Sequence, residues 1–160
     1  MAELHARRRT TTLLVTHDYE EALALAERVA VMHAGRLLQT GTPEDVYRRP
    51  CSARVAALTG AVSAVAGRRE GEHVVLPWGR WRAEFAADAR DAVVALLRPE
   101  DVRVASGNGA TLRSARFRAG AWLAAVEAGG QALLGLAERR PAPGAAVALE
   151  LREPVWCTAE

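Results

Sequence analysis

The feature that most limits what this chain can fold into is a change of pattern near residue 60. Before it, helical and strand patterns alternate. After it, short β-prone runs are broken by Gly and Pro at close intervals. Strands are expected over 61–66, 72–76, 80–85, 92–97, 101–104, 111–118, 120–127, 131–137 and 146–152. Turn signals separate them: Pro77, Gly79, Gly107-Asn108-Gly109, Gly129-Gly130 and Pro141-Ala142-Pro143-Gly144. Short strands at such spacing predict a small barrel or sandwich.

The first sixty residues read differently. Glu3 to Arg9 form the end of a helix, with arginines suited to the negative end of its dipole. Thr11-Thr12-Leu13-Leu14-Val15 has no polar alternation, the mark of a strand buried on both faces. Asp18 is a good N-cap with Glu21 three residues on, a capping box. Ala22, Leu25, Ala26 and Val29 then fall on one helical face. Val29 to Met32 and Arg36 to Thr40 make a hairpin around His33-Ala34-Gly35. Thr42-Pro43-Glu44-Asp45 starts a helix with a cap, a proline at its first position and acids in its first turn. Pro50 stops that helix, Ser52 caps another and Gly60 ends it.

Composition bounds the function. The 160 residues suffice for one ordinary domain or two small ones, and 50% hydrophobic with 25% charged is ordinary globular composition. No run approaches the ~18 apolar residues of a membrane span. Residues 1–10 are charged and lack an apolar core, so no secretory signal is expected. A net charge of +2 does not call for nucleic acid. All 21 Lys and Arg positions are arginine. Cys51 and Cys157 lack metal-ligand spacing and read as reduced, uninvolved thiols.

The run Leu14-Val15-Thr16-His17-Asp18, then Glu21-Ala22-Leu23, Ala26-Glu27-Arg28-Val29-Ala30-Val31-Met32, Gly35-Arg36 and Gly41-Thr42-Pro43-Glu44-Asp45-Val46-Tyr47 resembles the end of an ABC-transporter nucleotide-binding domain, in its importer branch. Leu97-Arg98-Pro99-Glu100-Asp101-Val102-Arg103 and Pro143-Gly144-Ala145-Ala146-Val147-Ala148-Leu149 are similar to segments of the TOBE domain that follows it. The implied fold class is α+β: the truncated C-terminal end of an α/β nucleotide-binding domain over 1–60, then a small all-β, OB-like TOBE domain over 61–160. Members energise uptake of oxyanions, iron, polyamines or sugars, using ATP and Mg. The resemblance implies transporter membrane subunits and a second ATP-binding subunit as partners, a homodimer in the complete protein, and a cytoplasmic place on the inner face of the membrane.

By that resemblance His17 is the switch histidine, at a strand end and reaching the ATP γ-phosphate, where an imidazole donates to phosphate oxygens and to the attacking water. It is the one catalytic candidate, and it needs the upstream portion to act. A phosphate loop needs a glycine-rich turn and a lysine; this sequence has no GxxxxGK, no lysine, no apolar strand ending in Asp-Glu and no Ser-Gly-Gly-Gln. ATP hydrolysis by this chain alone is therefore not expected, and no cofactor-binding or metal-ligating residue is assigned. The expectation is a truncated product, a gene fragment or one half of a split subunit.

Other features are weaker. His5, His33 and His73 have no partner at metal-ligand spacing. Arg7-Arg8-Arg9 read as a solvated helix end, and Arg98 with Glu100 as a structural pair beside a strand end. Trp78, Trp81, Trp122 and Trp156 suit core or interface packing. Two other readings compete with the importer fragment. One is a stand-alone TOBE-type protein binding a small oxyanion on backbone N–H groups and arginines, although Ser63, Ser106 and Arg98 single out no pocket. The other, an OB-like nucleic-acid binder, predicts steep salt dependence and is disfavoured by the modest charge.

Overall fold

The computed structural model describes residues 11–159. The expected helix over Glu3 to Arg9, with His5, lies outside them. Local capping chemistry sets the first elements. Asp18 caps α1 (Tyr19–Leu25) by accepting the Glu21 N–H at 3.1 Å. Strands β1 (Val29–His33) and β2 (Arg36–Gly41) pair antiparallel. Ala34 and Gly35 both take positive φ, 48° and 75°, the two-residue turn whose twist suits a hairpin. Thr42 caps α2 (Pro43–Arg48), and Ser52 caps α3 (Ala53–Leu58). Their shared core is Val31, Val46 and Val55, flanked by Val29 and Leu38.

Residues 11–15 are not a strand. A strand needs a neighbouring strand for its N–H and C=O groups, and no strand of the described residues pairs with this segment in a sheet. Leu13 and Val15 are 89% and 87% exposed. The apolar run marks a surface suited to burial that is not built into a sheet here.

The remainder is β-rich. Strands β3 (Ser63–Glu70), β4 (His73–Leu76), β5 (Gly79–Phe85), β6 (Ala92–Leu97) and β11 (Val155–Ala159) close a five-stranded barrel in the ring order β11-β5-β4-β3-β6. All ring neighbours are antiparallel except β5 and β11. This is compatible with an OB-like barrel. Residues alternate inward and outward along β3, where Ser63 and Val65 are buried between exposed neighbours. Strand β11 was absent from the sequence expectation; a five-residue run behind Pro154 carries a weak signal of its own.

Between β6 and β11 are inserted a 3-10 turn (Pro99–Asp101) and a second sheet of order β10-β7-β8-β9. Its strands are β7 (Val102–Arg118), β8 (Ala121–Ala128), β9 (Gln131–Ala137) and β10 (Ala146–Leu151). Gly107-Asn108-Gly109, expected as a turn between two strands, instead lies within β7. There β7 changes partners: Val102–Ser106 pair with β10, Thr111 pairs with both β10 and β8, and the residues beyond it pair with β8. Gly135 lets β9 approach β7: a Cβ there would stand 2.7 Å from the Val102 carbonyl oxygen. Barrel and sheet share one hydrophobic cluster running from Val65 and Val93 to Leu112, Val126 and Leu133. Ser63 Oγ accepts the Leu134 N–H at 2.9 Å, and Gln131 Oε1 accepts the Ala66 N–H at 3.1 Å, tying the two together.

Candidate functional site

His17 stands exposed in a bend, just before the Asp18 cap. Asp18 N–H donates to Thr16 Oγ1 at 3.0 Å, so Thr16-His17-Asp18 is a local turn feeding α1. The expected strand before it is missing, so a turn and a cap hold His17 here. His33 ends β1, exposed, and His73 lies in β4 with Nδ1 3.3 Å from Arg80 Nη2. Among the described residues, no group of His, Cys, Asp and Glu is placed to hold a metal ion. None of the described helices is long and apolar enough to cross a membrane.

The densest polar arrangement lies where α2 and α3 meet the barrel. Arg98 directly follows β6 and is only 5% exposed. Its Nη2 donates to the Tyr47 carbonyl and to Thr59 Oγ1, both at 2.9 Å. Its Nε donates to the same Tyr47 carbonyl at 3.3 Å, and Nη1 to the carbonyls of Ala56 and Ala61 at 3.4 and 3.5 Å. The guanidinium carbon stands 3.7 Å from the Tyr47 ring centroid. A planar fork with five N–H donors suits such a convergence of carbonyls; an ammonium would not. Burial lowers the guanidinium pKa from its ordinary value, while Tyr47 and Glu100 oppose that shift.

Glu100 does not pair with Arg98 as expected. It accepts the Tyr47 hydroxyl at 2.5 Å. Burial first, and that bond second, push the Tyr47 phenol up to about 12. Two further contacts cross the same junction. Trp156 Nε1 donates to the Pro50 carbonyl at 2.9 Å, and Arg49 pairs with Glu84 at 3.1 Å on the surface. A cleft of about 400 Å³ opens beside them, lined by Tyr47, Arg48, Arg98, Arg152 and Trp156 among others.

Sequence reasoning marked Arg98 as half of a local pair and as one of three unconverged oxyanion candidates; it gave no role at this junction to Tyr47 or Tyr19. The interface role open to the tryptophans fits Trp156; Trp78, Trp81 and Trp122 pack against the main core. Ser63, Ser106 and Arg98 do not converge on an anion pocket. Ser63 Oγ is used by β9, Ser106 is exposed on β7, and Arg98 is spent on backbone carbonyls.

Comparison with known proteins gives a consistent result. A sulfate/thiosulfate import ATP-binding protein of Chromobacterium violaceum is 45% identical over 104 residues, covering 63% of this chain and 28% of that protein. An Fe(3+) ions import ATP-binding protein of Streptomyces avermitilis is 41% identical over 105 residues, 66% of this chain and 30% of that protein. A glucose import ATP-binding protein of Saccharolobus solfataricus is 37% identical over 102 residues, 64% of this chain and 28% of that protein. No protein-family model matches the chain. The chain spans less than a third of the length of these relatives. Its homologues over about two thirds of its length are thus import ATP-binding proteins, and the chain is a relative of the ATP-binding subunits of ABC importers.

Proposed function

We propose that this chain supplies the C-terminal, regulatory and assembly portion of an ABC importer ATP-binding subunit. The single observation that carries the reading is the 45% identity over 104 residues to an import ATP-binding protein. In this reading residues 1–60 are the end of the nucleotide-binding domain and residues 61–160 a TOBE-like domain. The closed five-stranded barrel supports the second assignment. His17 occupies the position of the switch histidine and acts only beside a phosphate loop from other sequence. ATP and Mg bind in that assembled state. Partners are the membrane subunits and a second ATP-binding subunit, so the protein works at the inner face of the membrane. Import of sulfate, iron or glucose is what the names of its relatives state; the solute class here is some small solute of that range.

Without a lysine, the sequence offers none of the usual charge for a β/γ-phosphate cradle. Calorimetric titration of the 160-residue chain with Mg-ATP tests this. No binding is expected, and binding at micromolar affinity would overturn the claim that this chain depends on another phosphate loop. Parallel titration with sulfate and molybdate, read by tryptophan fluorescence, is expected to be silent; saturable quenching would move the reading to an oxyanion-binding protein.

A further inference from the structure

The Arg98 junction reaches further than the two helices it fastens. Gly60 has φ +137°, and a Cβ there would stand 3.1 Å from Arg98 Nη1 and 3.3 Å from Tyr19 Cε2. The guanidinium and the Tyr19 ring therefore approach the same glycine, from the barrel and from α1. Glycine is needed at this point both for its backbone conformation and for the space. Tyr19 is the first residue of α1, directly after His17 and Asp18. The helix buries none of its residues completely, so its placement depends on few contacts. The half-buried Tyr19 ring is one of them. Its hydroxyl donates to Glu20 at 3.3 Å and lies within the influence of Arg98 and of Arg118 at the far end of β7. On its other side Arg98 holds Tyr47, whose hydroxyl bonds Glu100 in the 3-10 turn that opens the inserted sheet.

We propose that Arg98 is a positioning residue: through the Tyr19 ring packed at Gly60, it sets where His17 and Asp18 stand relative to the β-rich part. A displacement of the 3-10 turn or of β7 would thereby reach the His17 bend without any ligand between them, because rigid packed groups transmit shifts. The consequence for ATP hydrolysis rests on the reading of His17 given above. The positional link itself does not, since it is made within this chain.

The test is NMR of the 160-residue chain, following the ring signals of His17, Tyr19 and Tyr47 and the Arg98 Nε–H. In Arg98→Met, the Tyr19 and His17 signals are expected to move to the positions they hold in a synthetic peptide of residues 11–26. The Val65 and Val93 methyl signals of the barrel should stay in place. A purely structural clamp predicts otherwise, and the link is refuted if Tyr47 moves while Tyr19 and His17 do not. Should Arg98→Met unfold the barrel, Tyr19→Leu decides, because it alters a helix that buries none of its residues completely. Coupling is reciprocal, so the Arg98 Nε–H and Tyr47 signals must then shift; unchanged signals there overturn the proposal. Binding of Mg-ATP by this chain would overturn the functional reading and leave these signals as evidence for the link.

Discussion

The β-rich region and the helix–hairpin region solve the burial problem on different scales. Among the described residues the first gathers twenty buried residues into one cluster, from Val65 to Cys157. The second gathers three: Val31, Val46 and Val55. The second also leaves Leu13, Val15, Met32 and Leu37 more than half exposed. Hydrophobic stabilisation follows the apolar area removed from water. On that ground the larger cluster is expected to hold its strands together unaided and the smaller to depend on the junction at Arg98 and Trp156.

The most direct way to break this comparison is limited proteolysis. Cleavage is expected within residues 11–60, leaving 61–159 as a resistant product by mass spectrometry; survival of the first part and loss of the second would invert the picture. Leu112→Ala, in the large cluster, should lower global stability by about 3 kcal/mol in urea denaturation. Val46→Ala, in the small one, removes two methyl groups and should cost roughly 1.6 kcal/mol. That loss should show as faster local amide exchange in α2 and α3, with the global midpoint little changed.

Alkaline pH sharpens the contrast further. Burial pushes the Cys157 thiol up from 9.0 to about 12, and the Tyr47 phenol, at the junction, up from 10.0 to about 12. Both pKa values are raised in the folded state. The stability they contribute is therefore complete below the unfolded value and is lost as pH rises toward the folded one. For Cys157 the loss begins near pH 9 and reaches about 1.4 kcal/mol by pH 10; Cys157→Ala should flatten that slope. Tyr47→Phe should flatten only the later part, above pH 10. The smallest effect is expected at Arg49, whose pairing with Glu84 is solvent-exposed. Arg49→Ala should cost below about 1 kcal/mol and vanish in high salt.

What could be read in the sequence followed the range of the interactions. The caps at Asp18, Thr42 and Ser52 each involve an N–H three residues away, and all three form. The strands from β3 to β6 and from β8 to β10 carry their own turn signals and lie close to expectation. Failures occur where the deciding partner is distant or lies outside the described residues. Thr11 to Val15 has the composition of an inner strand and joins no sheet of the described residues. β11 owes its existence to β5 and β6, far back in the chain. Glu100 is two residues from Arg98, yet its partner is Tyr47, 53 positions earlier. No local pattern announces such a contact. The family signal around His17 was legible, whereas the convergence of the buried Arg98 guanidinium and the Tyr19 ring on Gly60 was not.

The ring order of the barrel also carries a consequence for how the molecule is made. β3, β4, β5 and β6 emerge consecutively, but the strand that seals them is β11, after the whole inserted sheet. During synthesis the four earlier strands must wait with the edges of β5 and β6 unsatisfied, a state prone to pairing with other chains. Closure across so long a separation is slow. A ribosome-bound chain stalled before residue 155 would therefore present the open edges of β5 and β6 until β11 closes the ring.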